Sequence, residues 1–349
     1  MKSGKKNLNI NHKYALRVSG RNQQPKFRRG CQTLRRNLGR DIRVAGITSE
    51  RVEFASEGAT LRGRLYRPSD PSGTAPVVVM AHGFSVLADW LTDLARDYAE
   101  AGFAVLVFDH RNFGRSDGEP RFGFDNLLQL RGYRDAISFV GEQPGIDEKK
   151  ICVFGQSASS LTAQFIGALD ARVSAVICHT PVCGNRATKF DENDEKFEWL
   201  RENWSSLNLA EYEPRKLPVR FCRLHEGEGQ VVVEGGKAVG YATNMKRKYS
   251  SDWSNQVFIL QRKLPAQVNE QRLPAKHLKV PTLFVIAKDD EVPMCEMATN
   301  RRCFDLIDAP KEMVVVEEGH FDLADNDREP YREALAGDLK FLRRVFAGN

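Results

Sequence analysis

The stretch Lys150-Ile151-Cys152-Val153-Phe154-Gly155-Gln156-Ser157-Ala158-Ser159 decides how this chain is read. A short apolar strand, Lys150 to Phe154, runs into small residues, and Ser159 to Leu169 then reads as a helix. The G-x-S-x-G pattern of a nucleophile elbow uses small flanking residues so that the backbone can turn sharply from strand to helix. That turn lifts the serine hydroxyl above the sheet edge, over a helix N-terminus that favours developing negative charge. Here the last glycine of the pattern is Ser159, which is still small enough for the turn. The same residues could form an ordinary Gly-Ser turn capping a helix; the strand–turn–helix context favours the elbow. Ser157 is the candidate nucleophile.

On either side the chain repeats strand and helix. Pro76 to Ala81, Phe103 to Phe108, Val173 to Cys178, Pro281 to Ala287 and Glu312 to Glu317 read as strands. Leu87 to Ala101, Leu127 to Val140, Met294 to Ile307 and Tyr331 to Phe346 read as helices between or after them. Most of these strands are continuously apolar rather than alternating, as in a parallel sheet covered on both faces. Arg51 to Phe54 and Thr60 to Tyr66 do alternate, and with the Glu57-Gly58 turn between them they predict an antiparallel hairpin at the start. The rhythm breaks from Pro181 to Leu278, which holds Trp199, Trp204 and Trp253 and a predicted hairpin from Gln230 to Tyr241 turning at Gly235-Gly236. That span is too long for a structureless loop. The expected organisation is a basic arm over 1–48, a core formed by 49–180 and 279–349, and a cap inserted over 181–278. The expected fold is α/β: an eight-stranded, mostly parallel sheet with an antiparallel start, helices on both faces and that cap.

A serine hydroxyl needs a base within hydrogen-bond reach. Of the seven histidines, only His320, in Gly319-His320-Phe321, follows the last strand, where the order Ser, acid, His puts the base. The acid that orients the imidazole should follow the strand Pro281 to Ala287. Counting from the strand end favours Asp290, and counting back from Pro293 favours Asp289. Asp290 is taken as the acid, with Asp289 as the alternative. Two backbone N–H groups should form the oxyanion hole: that of Ala158 and that of Phe84, in the turn His82-Gly83-Phe84-Ser85. His82 reads as a turn-stabilising residue rather than a catalyst. Asp109 to Gly118 reads as a compact bracing loop; it lacks the spacing of a phosphate cradle.

Composition narrows the classes. No apolar run has the length to cross a bilayer. Met1 to Gly30 is basic and polar, without the apolar core of a signal peptide. The seven cysteines are scattered, with no C-x-x-C, which predicts a reduced, cytoplasmic protein without a structural metal. No H-E-x-x-H or clustered Cys/His spacing points to a catalytic metal. Residues 1–43 hold thirteen Lys and Arg and one acid, Asp41, a net of +12; against +6 for the whole chain, the remainder carries −6. The arm lacks interleaved aromatics, so a solvated tail is expected rather than a nucleic-acid surface.

Taken together, the His-Gly-Phe turn, the Asp109 to Gly118 loop, the elbow at Ser157, the acid after the penultimate strand and Gly319-His320-Phe321 resemble, in that order, the α/β-hydrolase superfamily over residues 50–346. Asp109-His110-Arg111-Asn112-Phe113-Gly114 with Gly319-His320-Phe321-Asp322 is similar to dienelactone-hydrolase-like and polyketide-transferase-like hydrolases. The resemblance implies esterase, thioesterase or acyl-transfer chemistry. Two features depart from it, Ser159 in the elbow and an unmatched cap over Pro181 to Leu278, and the arm before Ser49 has no counterpart in it. The expected function is a serine hydrolase cleaving a carboxylic ester or thioester through an acyl-enzyme on Ser157, needing no cofactor and no metal. The expected partner is a small-molecule acyl substrate, with no membrane or nucleic-acid partner. The rival readings are transfer of the acyl group, or peptidase-type use, by the same triad, and a binding protein that keeps the fold without turnover.

Overall fold

The computed structural model describes residues 42–44, 46–69, 73–184, 194–229, 231–266 and 274–347. In chain order the elements are β1 (Ile42–Val44), β2 (Ile47–Ser56), β3 (Ala59–Pro68), β4 (Ala75–Ala81), α1 (Thr92–Glu100), β5 (Ala104–Phe108), β6 (Gly123–Phe124), α2 (Asn126–Gly141), β7 (Ile146–Gln156), α3 (Ala158–Leu169) and β8 (Val173–His179). There follow α4 (Asp194–Asn203), β9 (Arg215–Cys222), β10 (Val231–Val233), α5 (Gly236–Lys248), β11 (Gln256–Gln261), β12 (Thr282–Ala287), α6 (Met297–Asp305), β13 (Lys311–Val316) and α7 (Glu329–Phe346).

Among the described residues, nine strands form the main sheet, in the order β1-β2-β3-β5-β4-β7-β8-β12-β13. The pairings β1·β2, β2·β3 and β3·β5 are antiparallel; every later pairing is parallel. The expected mostly parallel sheet with an antiparallel start is what forms. It gains one strand, because β1 pairs with β2 ahead of the expected start at Ser49. Residues 1–41 of the expected arm lie outside the described residues.

The pleat explains why these strands are apolar throughout. Successive side chains point to opposite faces. Val77, Val79, Leu106, Phe108, Val153, Val176 and Phe284 enter one core, closed by α2 and α3 through Leu130, Tyr133, Ala163 and Phe165. Their neighbours Val78, Met80, Val105, Val107, Phe154, Ile177 and Val285 enter the other, closed by α1 and α7 through Leu94, Tyr98, Phe341 and Leu342. Helices therefore cover both faces, and the buried strands have no face on which a polar residue could sit in water.

A second, four-stranded sheet has the order β10-β9-β11-β6. It joins two residues of the core segment, Gly123 and Phe124, to strands of the expected cap. The predicted hairpin from Gln230 to Tyr241 does not form. Val231–Val233 pairs parallel with β9, and Gly236 opens α5 instead of turning a hairpin. Arg262, in the segment expected as a cap, is tied to the start of α2. There Asp125 caps the helix, accepting the N–H of Leu127 and Leu128 at 3.1 and 3.2 Å, and its second oxygen accepts Arg262 Nε at 2.8 Å. None of the helices in the described residues is long and apolar enough to cross a membrane.

Candidate active site

The carboxyl ends of β4, β5, β7, β8, β12 and β13 lie on one edge of the sheet, where open α/β sheets bind ligands. The chain leaves β4 toward β5 on one side and leaves β7 toward β8 on the other. The crevice opened by that reversal lies between the ends of β4 and β7, which carry the His82–Ser85 turn and Ser157.

Ser157 joins β7 to α3 with φ 56° and ψ −123°, a conformation L-residues rarely hold. Close packing dictates it. A Cβ on Gly155 would meet the carbonyl oxygen of Ser159 at 2.1 Å, so the helix starts against bare backbone. The Ser157 N–H donates to the carbonyl of His179 at 2.9 Å, fastening the elbow to the end of β8. On the other side the turn after β4 lies directly on the elbow: a Cβ on Gly83 would sit 3.1 Å from the Ser157 Cβ and 3.7 Å from the Ala158 nitrogen. The two sequence-assigned oxyanion donors, Ala158 and Phe84, thus belong to segments in direct contact.

The residues expected as acid and base meet. His320 Nδ1 lies 2.9 and 3.1 Å from the two carboxylate oxygens of Asp290, whose side chain is 0% exposed. Nδ1 is thus the ring nitrogen engaged by Asp290. Strand-like pairing continues past the ends of β12 and β13, with the N–H of Lys288 on Val316 and that of Asp289 on Glu318, and it delivers Asp290 to the His320 loop. Asp289 is exposed and is not brought to His320. Of the two aspartates left open by the sequence, Asp290 is the one in contact with His320.

Several residues around the site had no role assigned from the sequence. Glu291 accepts the His320 N–H at 2.6 Å, and its other oxygen is buried without a hydrogen bond. Asp322 accepts the Gly319 N–H at 2.9 Å and Lys237 Nζ of α5 at 2.5 Å, so α5 is tied to the histidine loop. Behind the elbow, His179 bonds both oxygens of the fully buried Asp338 at 2.9 Å. The only advance signal for these residues was the acid run Asp289-Asp290-Glu291 and the Asp322 of Gly319-His320-Phe321-Asp322; nothing local pointed to Asp338.

The cap tryptophans serve packing. Trp204 and Trp253 are buried in the core, and the Trp253 indole N–H donates to the Ser85 carbonyl at 2.7 Å, bracing the turn after β4. The Asp109 loop is a brace as well. The Asp109 carboxylate accepts the N–H of Ala88 and of Arg115 at 2.8 and 3.0 Å, and burial pushes its pKa up. His82 and His110 are fully buried, and burial holds both below the usual histidine range.

Among the described residues, one group could offer three ligands to a metal: Asp290, Cys295 and His320, with donor atoms within 4.8 Å of one another. The three are otherwise engaged. Asp290 and His320 bond each other, and Cys295 Sγ donates to the Thr180 carbonyl at 3.3 Å with its thiol pKa pushed well up by burial. A cation there would have to part the acid from the imidazole. All six described cysteines are buried and unbridged.

Fold and site together define a hydrolase of the α/β class. A model of the family described as "Serine aminopeptidase, S33" matches residues 73–328, and the chain belongs to this family. The polyketide transferase ATR5 of Stachybotrys chlorohalonatus is 29% identical over 320 residues, 86% of this chain and 99% of its own. The polyketide transferase claH of Penicillium crustosum is 31% identical over 317 residues, 85% of this chain and 97% of its own. The thiohydrolase apmlB of Arthrinium phaeospermum is 26% identical over 313 residues, 86% and 98% of the two chains. Among solved structures, the α/β hydrolase GrgF of Penicillium sp. sh18 aligns with TM-score 0.63 at 25% identity, covering 86% of this chain and 99% of its own.

Proposed function

We propose that this chain is a serine hydrolase that cleaves a carboxylic ester or thioester in two steps through an acyl-enzyme on Ser157. The observation that carries the reading is the buried Asp290–His320 pair on the same sheet edge as a serine held at positive φ. In the first step His320 Nε2 takes the Ser157 proton as the hydroxyl attacks the carbonyl carbon. Asp290 stabilises the imidazolium, and the Ala158 and Phe84 N–H groups receive the oxyanion. The imidazolium then protonates the leaving alkoxide or thiolate. In the second step water, deprotonated by His320, releases the acid and restores the serine. No cofactor enters these steps.

Phe84, Phe122, Ala158 and Ile259 are only partly buried and pack on the Phe113–Phe124–Val257 cluster. They supply an apolar surface beside the elbow, which suits an acyl chain more than a charged substrate. Transfer of the acyl group to an alcohol or amine instead of water is the second reading, favoured by full-length relatives named polyketide transferases.

The test is a panel of p-nitrophenyl esters and N-acetylcysteamine thioesters of graded acyl length, assayed with wild type and Ser157→Ala, with and without an added alcohol acceptor. A fluorophosphonate should label wild type and not the variant. Turnover surviving in Ser157→Ala would overturn the acyl-enzyme, and ester product forming at the expense of acid would favour transfer.

A further inference from the structure

The elbow's last position, glycine in the motif, is Ser159, and its side chain is fully buried. A buried hydroxyl is normally hydrogen-bonded, and this one lies among the His82 carbonyl, the His110 ring and the Tyr133 hydroxyl. Its Oγ donates to the carbonyl oxygen of His82, and His110 Nε2 lies 3.1 Å from it. With the Ser159 proton on His82, that contact is a donation from His110 Nε2–H. The remaining His110 nitrogen, Nδ1, is buried and without a partner, as befits a bare lone pair rather than an N–H.

The chain of contacts continues to the turn over the nucleophile. His82 Nδ1 donates to the Gly83 carbonyl at 3.0 Å, and His82 Nε2 accepts the His110 backbone N–H at 3.1 Å. The carbonyl and N–H of a trans peptide point in opposite directions. Tying the Gly83 oxygen to the His82 ring therefore sets where the Phe84 N–H, in the same peptide unit, is aimed. The preceding peptide, His82–Gly83, is held through its carbonyl by Ser159. Both peptide planes that lead to Phe84 are thus fixed, one of them directly from the first turn of the elbow helix. Glycine at 159 would leave the His82 carbonyl and the His110 Nε2–H unpaired in a sealed interior.

We propose that Ser159 is a positioning residue for the oxyanion hole: its hydroxyl braces the turn after β4 against the elbow, so that restoring the motif's glycine impairs the enzyme. The proposal rests on the reading of Ser157 as nucleophile.

The experiment compares wild type, Ser159→Gly, Ser159→Ala and Ser157→Ala as full chains on p-nitrophenyl butyrate, with active sites counted from the burst of nitrophenol. Loss of one whole oxyanion donor costs about 10²–10³ in kcat; a misaimed one should cost about tenfold. The expected result is a tenfold lower kcat per titrated site in both Ser159 variants, with KM within twofold. A trifluoromethyl ketone, whose hemiketal oxyanion needs the same donors, should bind about tenfold more weakly. A merely structural role would lower the number of titrated sites and leave kcat per site and ketone affinity unchanged; that result would overturn the proposal. Ser159→Ala decides the matter if Ser159→Gly yields no titratable sites. A burst persisting in Ser157→Ala would remove the nucleophile assignment and this proposal with it. A burst lost there, with both Ser159 variants behaving as wild type, would remove this proposal alone.

Discussion

Replacing Gly83 by alanine would drive a methyl group between the two halves of the oxyanion hole. The added carbon would lie 2.9 Å from the Gln156 carbonyl oxygen and 3.1 Å from the Ser157 Cβ, whereas ordinary contact begins at 3.4 Å. Both obstacles are backbone or its first side-chain atom, so neither can swing away. Relief requires the turn and the elbow to part by about half an ångström. A hydrogen bond near 2.9 Å stretched by that much leaves the ordinary range of about 2.7–3.2 Å. Because misplacement of about 1 Å can cost about 10²-fold, kcat per titrated site should fall about 10- to 100-fold. KM should hold within about threefold, since the apolar surface at Phe122 and Ile259 is untouched. Overpacking should also cost about 1–3 kcal/mol of stability, read as a lower Tm, so the assay belongs well below the transition. Gly240→Ala is the control. It is an exposed position of α5 with nothing within 4 Å of the added carbon, and should leave kcat unchanged. Wild-type kcat per titrated site in Gly83→Ala would refute the assignment of this turn to the oxyanion hole.

Asp290→Asn should lower kcat by about 10³–10⁴, because an amide cannot hold the Nδ1–H tautomer or stabilise imidazolium, while Asp289→Asn stays within about twofold; equal losses in the two variants would contradict the pairing with His320. Stability should fall on acidification below about pH 6.5, the pKa at which these histidines titrate once unfolded. Burial holds His82 and His110 below that value, so the unfolded chain takes up protons that the fold refuses. Stability is then complete above pH 6.5 and lost as pH drops, by about 1.4 kcal/mol per pH unit for each histidine. Asp109, pushed up by burial, binds its proton earlier in the folded state, which acts in the opposite sense. Urea midpoints measured from pH 8 to 5 should decline below 6.5, and a flat profile would show that these imidazoles take up protons equally in the folded and unfolded chain.

The parallel sheet was legible because its strands are buried on both faces. Val77 to Ala81 and Ala104 to Phe108 have no solvent side, so every position is apolar and the run itself is the signal. The elbow was legible for a related reason: a sharp strand-to-helix turn tolerates few residue types, and they must be adjacent. The second sheet was not legible. Gly123–Phe124 becomes a strand only because β11, far along the chain, lies beside it. Likewise Gly235-Gly236 fits a hairpin turn equally well until β9 supplies a parallel partner for Val231–Val233 and α5 begins.

The sequence by itself determined the residue types and their order: a serine between small residues, an acid after one strand, a histidine after the next. It could not choose between Asp289 and Asp290, because neighbours in an extended segment point opposite ways and either could face the site. Tertiary structure made that choice by sealing Asp290 against the His320 imidazole and leaving Asp289 in water. It also gave Ser159 its partners, His82 and His110, and His179 its buried Asp338. Patterning along a chain reports which face a residue must occupy. A hydrogen bond across many tens of residues depends on how the loops close, and only the folded chain fixes that.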